Sequence, residues 1–329
     1  MNNNHRPALF WFAVLNAVAT FLLIGLGGLV TSHEAGMSVP DWPTSYGYNM
    51  FALPIRFWTG GAFFEHTHRL LASAVGFLTT ILAIWLWLKD PRKWMHWLGI
   101  AAFLLVVVQG ILGGLRVDLR MASLGIFHGA IAQTFLVLVC LIALFTSRWW
   151  WQSAAVKQVT VPRGLRSHVL WVTILIFLQL LIAATMRHQH AGLAITDFPL
   201  AYGKLWPATN PEAIAQYNAT RPPGTIGNPI TAFQVDLQMA HRVVAYLIFL
   251  GVAAAAMLAR KKLGGGDALT KLAFAWLALL TLQILLGAAT IWSNKAADVA
   301  TAHVMVGALA LLTGSLWCLV AARRTRLAA

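Results

Sequence analysis

The sequence predicts an all-α integral membrane protein. Eight transmembrane helices form two tandem four-helix bundles related by a pseudo-two-fold axis along the membrane normal. Three observations predict this. Hydrophobic residues are 59% of the chain, charged residues only 10%, and mean hydropathy is +0.70, too little charge to cover a water-soluble surface. Eight apolar runs are long enough, or nearly so, to cross a bilayer. The second half of the chain repeats landmarks of the first. Composition also excludes other classes. The only two cysteines, Cys140 and Cys318, lie inside apolar runs, so a disulfide scaffold is excluded. The net charge of +14 would suit a nucleic-acid partner, but the basic residues fall between the apolar runs. That is a topology signal, and no nucleic-acid partner is expected.

The runs are Ala8–Val30, Leu70–Leu88, Trp94–Leu115, Ala122–Phe145, Val169–Met186, Val243–Ala259, Leu272–Trp292 and Val299–Ala322, all without Asp, Glu, Lys or Arg. The first is too long and too weakly basic at its start for a signal peptide, and no small-residue cleavage site follows cleanly. The sixth is short and is expected to begin upstream, near Gln238. Of the 24 Lys and Arg residues, 15 fall in alternate segments: Arg6; Lys89, Arg92 and Lys93; Arg148, Lys157, Arg163 and Arg166; Arg260, Lys261, Lys262 and Lys271; Arg323, Arg324 and Arg326. The positive-inside rule makes these segments and both termini cytoplasmic. The long loops 31–65 and 187–240 then lie outside.

The repeat is specific. Ala35, Gly36, Asp41, Pro43, Tyr46 and Gly47 coincide with Ala191, Gly192, Asp197, Pro199, Tyr202 and Gly203 at an offset of 156. His68-Arg69 matches His241-Arg242, Gln109 and Gly113 match Gln283 and Gly287, and His128 matches His303. Four spans per half give both halves the same orientation. The halves are residues 1–157 and 158–329, linked by the basic stretch 148–166 on the cytoplasmic side.

Four of the eleven histidines sit at matching places in the repeat: His68, His128, His241 and His303. All four spans run from outside to inside, which places these histidines within roughly 10 Å of the outer ends of their spans. Any one alone reads as a packing residue; two matched pairs at membrane depth point to function. Zinc wants further Cys, Asp or Glu ligands at that depth, and these are largely missing. Haem needs only one or two axial ligands and an apolar slot, which a four-helix bundle supplies. Arg69 and Arg242, each directly after a histidine, are placed to meet haem propionates or to snorkel to the interface. Arg187-His188 is a further candidate for a propionate. Gly110, Gly113, Gly114, Gly125, Gly129, Gly287 and Gly307 would let a flat macrocycle approach, or let helices pack closely. His33, His188 and His190 lie at outer span ends, His66 reads as interfacial, and His5, His96 and His168 as cytoplasmic surface. The tryptophans read largely as an aromatic belt.

One asymmetry points to chemistry. Glu65 precedes His68 by three residues, on one helical face, where the second half has Gln238 before His241. A carboxylate there would accept protons or stabilise developing positive charge at a bound substrate; a helix N-terminal acid favoured by the macrodipole is the equal alternative.

With eight spans in two matching halves, the Glu-x-x-His-Arg stretch Glu65–Arg69, the partner His128, the second pair His241 and His303, and the loop element Asp41-Trp42-Pro43, the chain resembles the haem A synthase family over nearly its whole length. The resemblance implies stepwise oxidation of one haem O methyl group to a formyl group, through hydroxylated intermediates, giving haem A for cytochrome oxidase assembly. It implies a resident haem b between His241 and His303. It implies haem O as substrate and haem A as product at His68 and His128, with Glu65 beside the reacting methyl. The implied partners are a haem O synthase as the source of haem O, the lipid bilayer, and an electron donor that the sequence does not identify. The implied location is the cell (inner) membrane with haem sites toward the outer side. The oxygen source is left open, and so is assembly into a homo-oligomer. Some members carry cysteine pairs in the outer loops; here Ser38 and Ser45, and Ile195 and Ala201, stand there. Two other readings remain: a di-haem membrane cytochrome relaying electrons from quinol, and a protein that handles haem without altering it.

Overall fold

The computed structural model describes residues 6–121, 123–152, 160–221 and 229–328. His5, Ala122, Lys157 and the middle of the linker between the halves lie outside them. Ten α-helices are present among the described residues: α1 (Pro7–Ser32), α2 (Gly60–Lys89), α3 (Lys93–Asp118), α4 (Leu124–Thr146), α5 (Arg148–Gln152), α6 (Arg163–His188), α7 (Pro211–Thr220), α8 (Ala232–Leu263), α9 (Ala268–Trp292) and α10 (Ala297–Ala328). Eight of them, all but α5 and α7, are long and apolar enough to cross a membrane. The chain is a multi-pass membrane protein.

The helices outrun the apolar runs because a helix does not end at its first charge. α2 takes in Glu65 and Arg69, and α3 takes in Arg116. α8 starts at Ala232, six residues before Gln238. Thr231 caps it by accepting from Gln234 N, and the Gln234 side chain closes the capping box on Thr231 N. Asp267 caps α9 through Leu269 N and pairs with Arg324 of α10 at 2.8 Å.

The chain forms two compact units, one drawn chiefly from Met1–Val159 and the other Thr160–Thr325. In the first, α1 packs on α2 and α4, and α3 packs on α2 and α4, closing a four-helix bundle. Its seam holds Val75, Leu82, Leu86, Met95, Leu136 and Val139, all 1% exposed or less. Buried Asn16 donates to Thr79 across α1 and α2 at 3.1 Å. In the second unit α8 packs on α6 and α9. The fully buried indoles of Trp276 and Trp317 tie α9 to α10 by donating to Ala310 O and Leu269 O, at 2.8 and 2.9 Å. These two tryptophans are core residues rather than belt.

The duplication extends to backbone detail. Tyr46 and Tyr202 both have φ 52°, followed by Gly47 and Gly203 at φ 76° and 72°. Trp42-Pro43 and Phe198-Pro199 are both cis. Asp41 accepts from Tyr46 N and Gly47 N (2.6 and 2.9 Å), and Asp197 from Tyr202 N and Gly203 N (2.7 and 2.9 Å). The tyrosine hydroxyls reach back to donate to Ser38 O and Ala194 O. Burial pushes the Asp41 carboxyl up, but hydrogen bonds from Thr44, Gly47 and Tyr46 and the charge of Arg69 outweigh it and hold the group below its ordinary value. Burial also pushes the Tyr202 phenol up to about 12, beneath its stack on Tyr217 at 3.6 Å.

Candidate functional site

Each unit brings its two repeated histidines face to face. The His68 and His128 ring centroids are 6.5 Å apart, with planes at 72°; those of His241 and His303 are 6.4 Å apart, at 61°. His68 is the ninth residue of α2 and His241 the tenth of α8, so they stand roughly 12–14 Å along their helices. Small residues let the rings seat against neighbouring helices. A Cβ on Gly27 would meet His68 Cε1 at 3.2 Å, one on Gly113 His128 Cε1 at 3.5 Å, and one on Gly287 His303 Cε1 at 3.1 Å. Gly110 and Gly129 have nothing so near, and Gly307 abuts Gln283 and Leu180. Gly114 receives the indole of Trp42, which a Cβ would obstruct.

The rings are not held alike. The Gln179 amide nitrogen donates to the carbonyl of His241 at 2.8 Å and lies 3.0 Å from His241 Nδ1. The Gln109 amide lies 3.0 Å from His128 Nδ1 and 3.2 Å from its carbonyl. In both units it is the amide nitrogen, a donor, that faces Nδ1. Gln283 comes no closer than 3.5 Å to His303 Nε2. His68 Nδ1 and His303 Nδ1 are both buried without a hydrogen bond. At the offset of 156 that relates α1 to α6, the position of Gln179 is Leu23 in the first unit.

Glu65 is 4% exposed and engaged on both oxygens, accepting from Val39 N at 2.9 Å and from Arg69 at 2.8 Å. Gln238 takes the same place in the second unit: it accepts from Ile195 N at 2.6 Å and donates to Gly192 O at 3.2 Å. Both side chains fasten the repeated outer loop to its helix. The arginines after the histidines do likewise. Arg69 donates to Val39 O, Asp41 O and Thr44 O, at 3.1, 2.6 and 3.1 Å. Arg242 donates to Asp197 O and Leu200 O, at 2.7 and 2.9 Å. Their hydrogen bonds therefore go to the loops. A residue one step past a histidine is turned about 100° around the helix from it.

His66 is fully buried, edge-on to Trp58 at 4.6 Å, rather than interfacial. His33 stacks on Phe64, and His96 and His168 meet the carbonyls of Asp90 and Gly251. The sequence reading passed over Arg116, on the last turn of α3. It stands three residues beyond Gly113, on the face of α3 that meets His128, and its counterpart in the second unit is Thr290.

Residues 47–315 match the family model described as cytochrome oxidase assembly protein. The chain belongs to that family. Over 304 residues it is 26% identical to the haem A synthase of Bacillus cereus (strain AH187), covering 89% of this chain and 86% of that one. Over 256 residues it is 25% identical to the haem A synthase of Lysinibacillus sphaericus (strain C3-41), covering 76% and 74%.

The donor sets suit haem better than a bare metal ion. Among the described residues no three His, Cys, Asp or Glu side chains gather as metal ligands, whereas structural zinc takes four. Two metal–imidazole bonds of about 2.0–2.1 Å, with roughly 1 Å from each nitrogen to its ring centre, put the centroids of a bis-imidazole pair roughly 6 Å apart. The observed 6.5 and 6.4 Å match that span. Each unit can therefore offer two axial ligands and an apolar bundle interior to one macrocycle.

Proposed function

We propose that this protein is a haem A synthase, a membrane oxidoreductase that oxidises one methyl group of haem O to a formyl group for cytochrome oxidase assembly. The observation that carries the proposal is the matched pair of facing histidines, joined to an acid, Glu65, in one unit only. The relatives' names agree with it. In this reading haem O is bound between His68 and His128 and leaves as haem A, while haem b resides between His241 and His303. The resident haem supplies one-electron redox chemistry when bound. Glu65 holds negative charge, or accepts a proton, beside the reacting methyl. Both units hold one ring against an amide, Gln109 at His128 and Gln179 at His241, and leave Nδ1 of the other, His68 or His303, unpartnered. What supports the division is that the amide stands behind opposite members of the two pairs. Gln179 fixes the orientation of the His241 ring, which suits a permanent site. His68, without such a partner, suits a site that must release product.

To test the function, membranes containing the protein are incubated with haem O and the extracted haems are separated. Haem A should appear; haem O recovered unchanged beside two tightly bound haems would favour the di-haem cytochrome. The ligand asymmetry has its own test. Gln179→Leu, which copies Leu23, should speed transfer of haem b to an excess of an apo-haem acceptor by about 10–100-fold. An unchanged rate would mean that Gln179 does not secure the resident site.

Orientation follows the charge distribution, with both termini cytoplasmic and the outer loops and haem sites on the opposite side of the inner membrane. A cysteine at Asn218, on α7, should react with an impermeant thiol reagent added outside intact cells. Labelling only after the cytoplasm is opened would invert the topology. The cytoplasmic counterpart for this test, Ser153, lies outside the described residues.

A further inference from the structure

With Arg69 engaged by loop carbonyls, the first unit needs another cation if it is to bind an anionic macrocycle. Arg116 is placed to be that cation. It stands three residues beyond Gly113, on the face of α3 that meets His128, and its guanidinium lies against the loop that Glu65 fastens. Among the described residues its guanidinium makes no hydrogen bond or ion pair, and Nε is buried without a partner. Glu65 makes no ion pair with it; its oxygens accept from Val39 N and Arg69. An unpaired arginine at membrane depth is costly unless an anion joins it.

The surroundings are shaped to this side chain. A Cβ on Gly36 would meet Arg116 Nη2 at 2.7 Å and Nη1 at 2.9 Å, so the guanidinium lies against the glycine backbone. The second unit keeps the loop glycine, as Gly192, but a Cβ there would meet nothing within 4 Å. There Thr290 replaces the arginine, and the arginine acting on His303 is Arg187 of α6. Its own counterpart in the first unit is Thr31. Beside the arginine that follows the histidine, each unit thus has a second one near its pair, Arg116 or Arg187, delivered from different helices.

We propose that Arg116 binds a propionate of the haem in the first unit, and so fixes the rotation of the ring that presents one methyl group to Glu65. This rests on the reading of that unit as the substrate site. A guanidinium is matched to a carboxylate by its planar fork and permanent charge.

The test uses the full-length protein carrying its resident haem b, titrated with haem O and, in parallel, with haem O dimethyl ester, which lacks the anionic carboxylates. Binding is read from the Soret difference spectrum, and the haem b spectrum reports the fold in each sample. Wild-type protein should bind the diacid about tenfold or more tightly than the ester. Arg116→Gln should weaken the diacid and leave the ester nearly unchanged, which abolishes the preference. Arg116→Lys, which keeps the charge but not the fork, should retain part of it. A full preference in Arg116→Gln would overturn the proposal. Wild-type binding that is absent, or unaltered by His68→Ala, would instead overturn the substrate-site reading, and the proposal for Arg116 with it.

Discussion

Replacing His241 or His303 with alanine should strip the purified protein of haem b, whereas His68→Ala or His128→Ala should leave it in place and abolish turnover. Each pair forms a two-point clamp, with ring centroids 6.4 and 6.5 Å apart. Removing one imidazole takes away one of the two strong axial ligands of a low-spin iron. The pairs differ in which ring the amide meets: Gln179 sits 3.0 Å from His241 Nδ1 and Gln109 3.0 Å from His128 Nδ1, while Nδ1 of His303 and of His68 has no hydrogen bond. Pyridine haemochrome assays and absorption spectra on the four variants measure the effect. Equal loss of haem from both pairs would refute the division between resident and substrate sites.

The second large effect is expected at Glu65. Glu65→Gln should lower conversion of haem O by a factor of about 10² or more, the scale of losing a general base. The structure makes this substitution informative, because the second unit already carries glutamine in the same slot. Gln238 holds Ile195 N as Glu65 holds Val39 N. The loop attachment should therefore survive. Breaking a buried ion pair costs about 3–5 kcal/mol when the remaining charge is left uncompensated, but Arg69 keeps three loop carbonyls. Haem b content and haem O binding should stay close to wild type while turnover falls. Partly oxidised haem should accumulate if the two oxidation steps depend on Glu65 unequally. Near wild-type production of haem A would reduce Glu65 to the structural part that Gln238 plays.

The features that follow from burial and periodicity were legible in the sequence. Eight spans could be read because a bilayer demands long uncharged runs. The histidine pairs could be read because duplication put them in register. The arginines illustrate what chain adjacency conceals. Arg69 and Arg242 follow the histidines directly, yet the helix turns them toward the outer loops, whose carbonyls they bind. Arg116 was hidden at the edge of an apolar run. Carrying the match of Gln109 and Gly113 to Gln283 and Gly287 three residues further would have exposed it, as an arginine facing Thr290 in the alignment. Glu65 was found by the same kind of comparison. Its attachment to Val39 was not, because a hydrogen bond across 26 residues leaves no periodic trace. His66 read as interfacial because it stands among charged neighbours; it is buried because the 3-10 turns before α2 bring Trp58 over it.

The central claim is that one unit keeps its haem while the other exchanges and oxidises a second. The most direct measurement is a haem balance on a single purified sample, extracted before and after turnover with added haem O. One haem b per chain should remain throughout, and the haem O consumed should equal the haem A and hydroxylated haem formed. Haem b that falls as haem A rises, or haem O recovered in full, would contradict the account.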